Sequence, residues 1–359
     1  MKIIDKYILK RFLTSFVFVV LIIMAVIVII DVTEKIDDFN KFPELTVSQI
    51  INEYYLNFIA FIANMITPLT TFIATVFVTA KMAGHTEIIA ILSSGVSFKR
   101  LLVPYFVGAA IIGALSFVMI GWIIPKSNKE RVQFEVNYTK SKFYYNERNT
   151  HIQVEPDVYL YIETYNNQSD RGYKFTMERF AETELVEKLS AQYINWVDST
   201  KKWQLKNWQH RQIDSLTETI TEGDEIDTVL AIHPKEFKSN YRNFEGMTLN
   251  ELNDHITTLK LRGASNVEVY EVEKYTRYSA PFAVLILTFM GVIVSARKSR
   301  GGTGLQIALG FFLSFVYILF FIMGKTLAEA GSMPPMLSVW IPNFTFMGIS
   351  LIMYRYIPR

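Results

Sequence analysis

The sequence predicts an α-helical polytopic membrane protein with six transmembrane helices and an inserted all-β, jelly-roll-like extracytoplasmic domain. Three observations carry that reading. Long uncharged apolar runs occupy both ends of the 359-residue chain. The middle alternates polar and apolar residues with a period of two. Lysine and arginine gather in the short loops of one side.

The first run, Phe12 to Ile30, holds 19 residues without a charge. It spans about 28 Å at 1.5 Å per residue, close to the hydrocarbon thickness of a bilayer. Lys2, Lys6, Lys10 and Arg11 precede it as they would in a signal peptide. The run is longer than an ordinary signal-peptide core, however, and Asp31-Val32-Thr33-Glu34 follows where a cleavage site would need small residues. A retained helix is expected. The second run, Phe58 to Ala80, contains Asn64, Thr67, Pro68, Thr70, Thr71 and Thr75. Such a helix should face protein or a cavity. The third, Leu101 to about Ile124, carries Gly108, Ala109, Ala110, Gly113 and Ala114, which permit close helix contact. Tyr278 to Ala296, Leu305 to Gly324 and Leu337 to Tyr354 complete the six.

Orientation follows from charge. The N-terminus, residues 81–100, residues 297–304 and the C-terminal tail together hold twelve Lys or Arg and only Asp5 and Glu87 as acids. The opposite loop, Asp31 to Asn57, holds six acids and two lysines. Both termini are therefore expected in the cytoplasm, with residues 125–277 outside.

That outer segment opens with the charged stretch Lys126 to Arg131. His151–Val154, Val158–Ile162, Tyr173–Met177, Leu189–Val197 and Trp203–Trp208 then alternate as half-buried antiparallel strands do, with a turn at Asp198–Lys202. Val158, Leu160, Ile162, Ile194, Trp196, Trp203 and Leu205 are the expected inward residues. Thr248-Leu249-Asn250-Glu251 is a capping box, and Leu249, Leu252, Ile256, Leu259 and Leu261 follow near helical spacing up to Gly263. A second helix from about Val267 should run into the fourth span. The chain thus divides into residues 1–124, with three spans, 125–247, the β domain, 248–277, a helical connector, and 278–359, with three more spans.

Several chemistries are unsupported. The formal net charge of +2 gives no reason to expect nucleic acid. Cysteine is absent, which removes disulfides and thiolate sites. No phosphate-binding loop, H-E-x-x-H or G-x-S-x-G occurs, and the five histidines show no ligand spacing. Gly301-Gly302-Thr303-Gly304 lacks the lysine of a phosphate loop and reads as a turn between spans. No cofactor, metal or catalytic residue is expected.

The cytoplasmic segment of residues 84–95 stands apart. Thr86 can cap a short helix, Glu87 suits its first turn, Ile88, Ile91 and Leu92 share one face, and Gly95 ends it. It reads either as an interfacial anchor or as a coupling helix that docks into a groove of an ATPase. The motif TEIIAILSSGVS of residues 86–97 resembles the LptF/LptG (YjgP/YjgQ) lipopolysaccharide-export permease family. So do DKYILKRF of residues 5–12, GLQIALGFFLSFVYILF of residues 304–320 and GSMPPMLSVWIPN of residues 331–343. The last two look more like LptG than LptF.

The resemblance implies a heterodimer with a homologous six-span permease subunit around a lipid cavity. It implies two copies of an LptB-like cytoplasmic ATPase beneath, a single-span LptC-like protein at the cavity wall, and a location in the inner membrane with the large domain periplasmic. Lipopolysaccharide would pass up through the jelly roll, whose open interior would hold acyl chains. The ATPase-coupling residues would be Glu87, Ile88, Ile91, Leu92 and Gly95, with Glu87 meeting a basic group of the ATPase. Phe311, Phe315 and Ile318 would line the lipid cavity. Lys35, Lys41, Lys126, Lys129 and Arg131 would form a cationic rim for the phosphorylated head group. LptG-type chains carry a basic residue where the first span reaches the outer surface, and Asp31 stands there instead. A membrane-anchored scaffold or sensor, or a permease for another lipid, are the competing classes. Six spans exceed what anchoring needs.

Overall fold

Apolar runs of membrane-spanning length become helices in the computed structural model, which describes residues 2–139, 145, 148–214, 217–237, 242–262, 267–296 and 302–355. The chain divides into two units, residues 1–139, 242–253 and 268–359, and residues 140–241 and 254–267.

In the first unit, helix α1 runs unbroken from Ile3 to Phe39. It contains neither Gly nor Pro, so nothing in it interrupts the hydrogen-bond ladder. Helix α2 (Val47–Gln49) leads through a π-helical stretch, residues 50–55, into α3 (Leu56–Met65). Helix α4 (Thr67–Gly84) follows with a 61° bend. The bend has a local cause: Pro68 sits in the first turn of α4 and has no N–H to extend the α3 ladder. Buried threonines take up backbone oxygens at and beyond the break, Thr67 Oγ1 donating to Ala63 O at 2.9 Å and Thr71 Oγ1 to Thr67 O at 2.7 Å. The expected second span therefore falls on a bent pair of helices rather than on one straight helix. After the short helix α5 (Glu87–Ser93), α6 (Phe98–Val118), a π-helical turn at residues 119–123 and α7 (Ile124–Tyr138) form one continuous rod. Among the described residues, five helices are long and apolar enough to cross a membrane, and six if the bent pair counts as one span.

Helix α4 is the hub of this unit. Helices α1 and α6 pack on it through Ile8, Phe12, Ala74, Val78, Leu101 and Tyr105. Helices α9 (Val267–Ser295), α10 (Gly302–Glu329) and α11 (Pro335–Arg355) pack on it through Phe72, Val76, Leu287, Met290, Tyr317 and Phe346. As expected from the sequence, one helix carries residues 267–277 into the fourth span. Helix α8 (Leu249–Leu261) begins at the expected capping box, with Thr248 N 2.7 Å from Glu251 Oε2 and Glu251 N 3.3 Å from Thr248 Oγ1. The Thr248 N–H bond holds the Glu251 carboxyl below the usual carboxylate range. Gly263, the expected helix end, lies outside the described residues, as do residues 297–301.

The second unit is one six-stranded antiparallel sheet in the order β1 to β6: Arg148–Glu155, Val158–Asn166, Arg171–Ala181, Glu184–Val197, Lys202–Ile213 and Glu218–Thr228. The five strands expected from alternation are all present, and so is the turn at residues 198–201. Two expectations change. The described strands form a meander with every neighbour in sequence order, whereas a jelly roll needs two sheets joined by Greek-key crossings. The β domain also starts later than residue 125, because residues 124–138 continue the third helix. The inward face is filled rather than open. Leu160, Ile162, Ile194, Trp203 and Leu205 are buried against Leu230, Ile232 and Phe237, and Trp203 Nε1 donates to Ile232 O at 2.9 Å.

Helices α10 and α11 come close together at Gly324, where a Cβ would lie 2.6 Å from Ser338 O. That oxygen is backbone and cannot swing away. Gly324→Ala is expected to lower the thermal midpoint of the detergent-solubilised protein by several degrees. Gly348→Ala, where a Cβ meets nothing within 4 Å, is the control and should leave the midpoint in place.

Candidate functional site

The segment between α4 and α6 is shaped by two left-handed residues. Thr86 has φ +60° and Gly95 φ +87°. The turn at Thr86 changes its expected role: its hydroxyl donates to His85 O at 2.6 Å and does not cap α5. Between the two turns, α5 lies with Ile88 buried and Ile91 and Leu92 half-buried against Met82, Ala83 and Phe98 of the same unit. These three residues do share a face, as the spacing predicts, but that face belongs to the chain's own core. The face left exposed comprises Ile89, Ala90, Ser93 and Ser94, followed by Gly95.

Glu87 is engaged within the chain. Arg11 Nη1 lies 3.1 Å from its Oε1 and 3.0 Å from its Oε2, and the Tyr7 hydroxyl donates to Oε2 at 3.0 Å. The Arg11 guanidinium also lies over the Tyr7 ring, 4.8 Å from its centroid. One turn earlier in α1, Asp5 accepts from Arg100 of α6 at 2.5 Å. No sequence pattern joins residue 11 to residue 87, so this pairing was not readable in advance.

At the far end of α1 a second charged group is assembled, and it rearranges the expected cationic rim. Arg131 is 1% exposed. It pairs with Glu135 at 2.5 Å, with Glu245, and with Asn128 Oδ1 at 2.5 Å. The reason is helical period. Because α7 continues through this stretch, residues 124, 128, 131 and 135 face inward while 126 and 129 face out. Burial pushes the Glu245 carboxyl up, against the pull of Arg131 and Arg242. Lys35 pairs with Asp31 at 3.0 Å, lies 3.9 Å from Glu135 and donates to the Tyr54 hydroxyl. Tyr54 in turn donates to Asp31 at 3.0 Å. Asp31, the residue at variance with the family pattern, is thus the anchor of a lysine one turn on. Arg277 of α9 joins the same end by donating to Met247 O at 2.6 Å and Phe244 O at 2.8 Å. Lys41 pairs with Asp38 and Lys129 with Glu251. Of the five expected rim residues, Lys126 alone is exposed with no ion pair among the described residues.

The apolar faces lie between these ends. Phe311 and Phe315 stand exposed on α10, continued by Leu319 and Ile322, while Ile318 beside them reaches the packed cluster around Tyr317. Helix α1 presents Phe18, Leu21, Ile22, Val26 and Ile29 in the same way.

Removing one partner from a buried ion group leaves the others uncompensated. Arg131→Ala is expected to cost about 3–5 kcal/mol, read as a large fall in thermal midpoint or loss of folded protein. Lys129→Ala, which breaks an exposed pair with Glu251, should change little.

A search of curated proteins returns no match. The profile of the family described as lipopolysaccharide export system permease LptF/LptG matches residues 6–356. The match takes in both charged ends of α1, the segment around α5 and the whole sheet, so the chain belongs to the LptF/LptG family and is a component of a lipopolysaccharide export permease.

Proposed function

We propose that the chain is one half of the membrane permease of an ATP-driven exporter that withdraws lipopolysaccharide from the inner membrane toward a periplasmic bridge. The observation that carries this reading is the pair of bare apolar helices. Few residues in the apolar stretches of α1 and α10 are fully buried, whereas most of those in α9 are. Both pack on α4, α1 also on α6 and α10 also on α11, and each leaves a membrane-length apolar surface uncovered. A homologous six-span subunit facing these helices would enclose an apolar cavity suited to acyl chains. A single-span partner would add a helix at its wall. Lys126 is the available cation for a phosphorylated head group.

The energy must enter from another protein, since the sequence carries no phosphate-binding loop. Helix α5 supports that entry point: its buried side fixes it to the transmembrane helices, and its exposed side offers Ile89, Ala90 and Ser93 to a groove. Two copies of a cytoplasmic ATPase, one under each permease subunit, complete the assembly. The Pro334–Pro335 step into α11 supports the LptG-like half of the pair.

Burying an isoleucine is worth roughly 1.5–3 kcal/mol, so Ile89→Asp should weaken ATPase copurification by at least about tenfold while the permease stays in the membrane. Retention of the ATPase at the wild-type level removes α5 as the docking element. Orientation is tested in this cysteine-free chain by Lys99→Cys and Thr200→Cys. In intact spheroplasts a membrane-impermeant thiol reagent should label position 200 and spare position 99.

A further inference from the structure

We propose that the open groove between α6 and α9 holds an acyl chain of an anionic phospholipid of the surrounding bilayer, with Lys126 on its phosphate. The proposal goes beyond the export reading and does not rest on it. It gives the head group at Lys126 a chemical class, that of a bilayer glycerophospholipid.

The groove has a volume of about 320 Å³ and lies within the first unit. Its floor is made of small residues. Ala110, Gly113 and Ala114 of α6 leave room that larger side chains would fill, and Gly113 brings α6 so near α9 that a Cβ would lie 3.3 Å from Pro281 O. Phe117 and Phe282 form walls, no lining side chain is charged, and Tyr278 supplies the one hydroxyl among them. Ala110 and Ala114 are exposed, so the chain itself does not cover the floor. An α-helix with its side chains is about 10 Å across and does not enter such a space, whereas a run of methylenes does. The groove also opens away from α1. Gly108, where α6 meets Phe12 of α1, and Ala110 in the floor are two residues apart and so lie on opposite sides of the helix. An occupant therefore comes from the bilayer around the permease and not from the bare face of α1.

One end of the groove is built like a membrane interface. Phe117 packs edge-on against Trp122 with ring centroids 5.5 Å apart, and against Tyr278 at 5.7 Å. Trp122 and Tyr278 are both more than one third exposed. Such rings, apolar in body and polar at the tip, sit at the level of lipid head groups. The π-helical turn at residues 119–123 produces the stack by bringing Trp122, five residues on, over Phe117. Lys126 follows Trp122 by four residues on the same continuous rod, so it stands on the same side about 6 Å further out. It is exposed and has no ion pair among the described residues. An apolar slot, an aromatic collar and a lysine thus succeed one another in the order of acyl chain, glycerol and phosphate.

The test uses the complete permease in nanodiscs of phosphatidylethanolamine that carry a small share of phosphatidylglycerol with a photoreactive acyl chain. Crosslinks are mapped by peptide and should concentrate in residues 109–117 and 278–285. Ala114→Phe, which fills the floor, should lower them about fivefold or more, while Ile111→Phe, which adds bulk to α6 outside the groove, should leave them within about twofold. Lys126→Gln should lower phosphatidylglycerol crosslinking about fivefold, to the level of a photoreactive phosphatidylethanolamine, and leave the latter unchanged. Lys129→Gln, whose lysine pairs with Glu251, should leave both in place. Crosslinks spread evenly over every exposed apolar face, crosslinks unchanged by Ala114→Phe, or equal capture of the two phospholipids by the wild type overturns the proposal. Stronger capture of a photoreactive lipopolysaccharide at the same peptides also overturns it, because the groove then belongs to the export path. Ala110→Phe gives the same reading should Ala114→Phe fail to fold. The docking of α5 stands or falls separately, on ATPase retention by Ile89→Asp.

Discussion

Arg131 carries a charge where water does not reach, and the surrounding chain is arranged to meet it. An ion taken out of water costs several kcal/mol even after relaxation, and that cost is tolerable only when counter-charges and hydrogen bonds enclose it. Glu135 comes from the next turn of α7. Glu245 comes from a segment more than a hundred residues further on. Asn128 bridges the two by accepting from Arg131 and donating to Glu245. The requirement thus fixes where residues 243–247 sit, and Arg277 secures their carbonyls from α9. Lys35, close to Glu135, brings α1 into the same electrostatic group. Four separate stretches of chain share one end of the transmembrane unit because none of their charges can be left alone there.

The opposite end is held by the same physics in a wetter setting. Asp5–Arg100 and Arg11–Glu87 join α1 to α6 and α5, with Arg100 and Arg11 each about one third exposed. Pairs of this kind set geometry more than they add stability. Between the two ends, apolar packing around α4 does the holding. Of its buried threonines, Thr70, Thr71 and Thr75 return their hydroxyls to the helix's own carbonyls, Thr67 donates to Ala63 O of α3 and Thr79 to the Tyr105 hydroxyl of α6, so a polar-flecked helix reaches the middle of the bundle with these donors satisfied.

Much of this was legible in the sequence because it depends on local pattern. Apolar run length located the helices, period-two alternation located β1 to β5, and the Thr248–Glu251 spacing located a cap that the structure contains. What escaped depends on partners distant in sequence or on continuity past an expected boundary. Arg131 was expected in an open cationic rim because a charged stretch after an apolar run normally ends a span. The helix instead continues to Tyr138 and turns that residue inward. Glu87 looked isolated because its partner lies 76 residues away. The strand β6 escaped because its sequence, Glu218 to Thr228, is acidic on both faces and shows no alternation. It is held by cross-strand pairs, Lys206–Glu225 and Arg211–Glu218, that only the register reveals. The jelly roll was an expectation from the alternation, and strand order is a property that alternation alone does not encode.

The acidity of β6 matters beyond its pairing with β5. A meander of six strands that does not close on itself leaves two rims of unspent backbone donors and acceptors, at β1 and at β6. Such rims template the addition of identical strands, the first step toward insoluble stacks. Glu218, Glu222, Asp224, Glu225 and Asp227 all lie on the β6 rim. Two copies brought rim to rim would set these carboxylates against one another across a strand spacing of about 4.8 Å. The repulsion makes self-addition at that rim unfavourable, so an open sheet can be kept at high density without polymerising from its last strand.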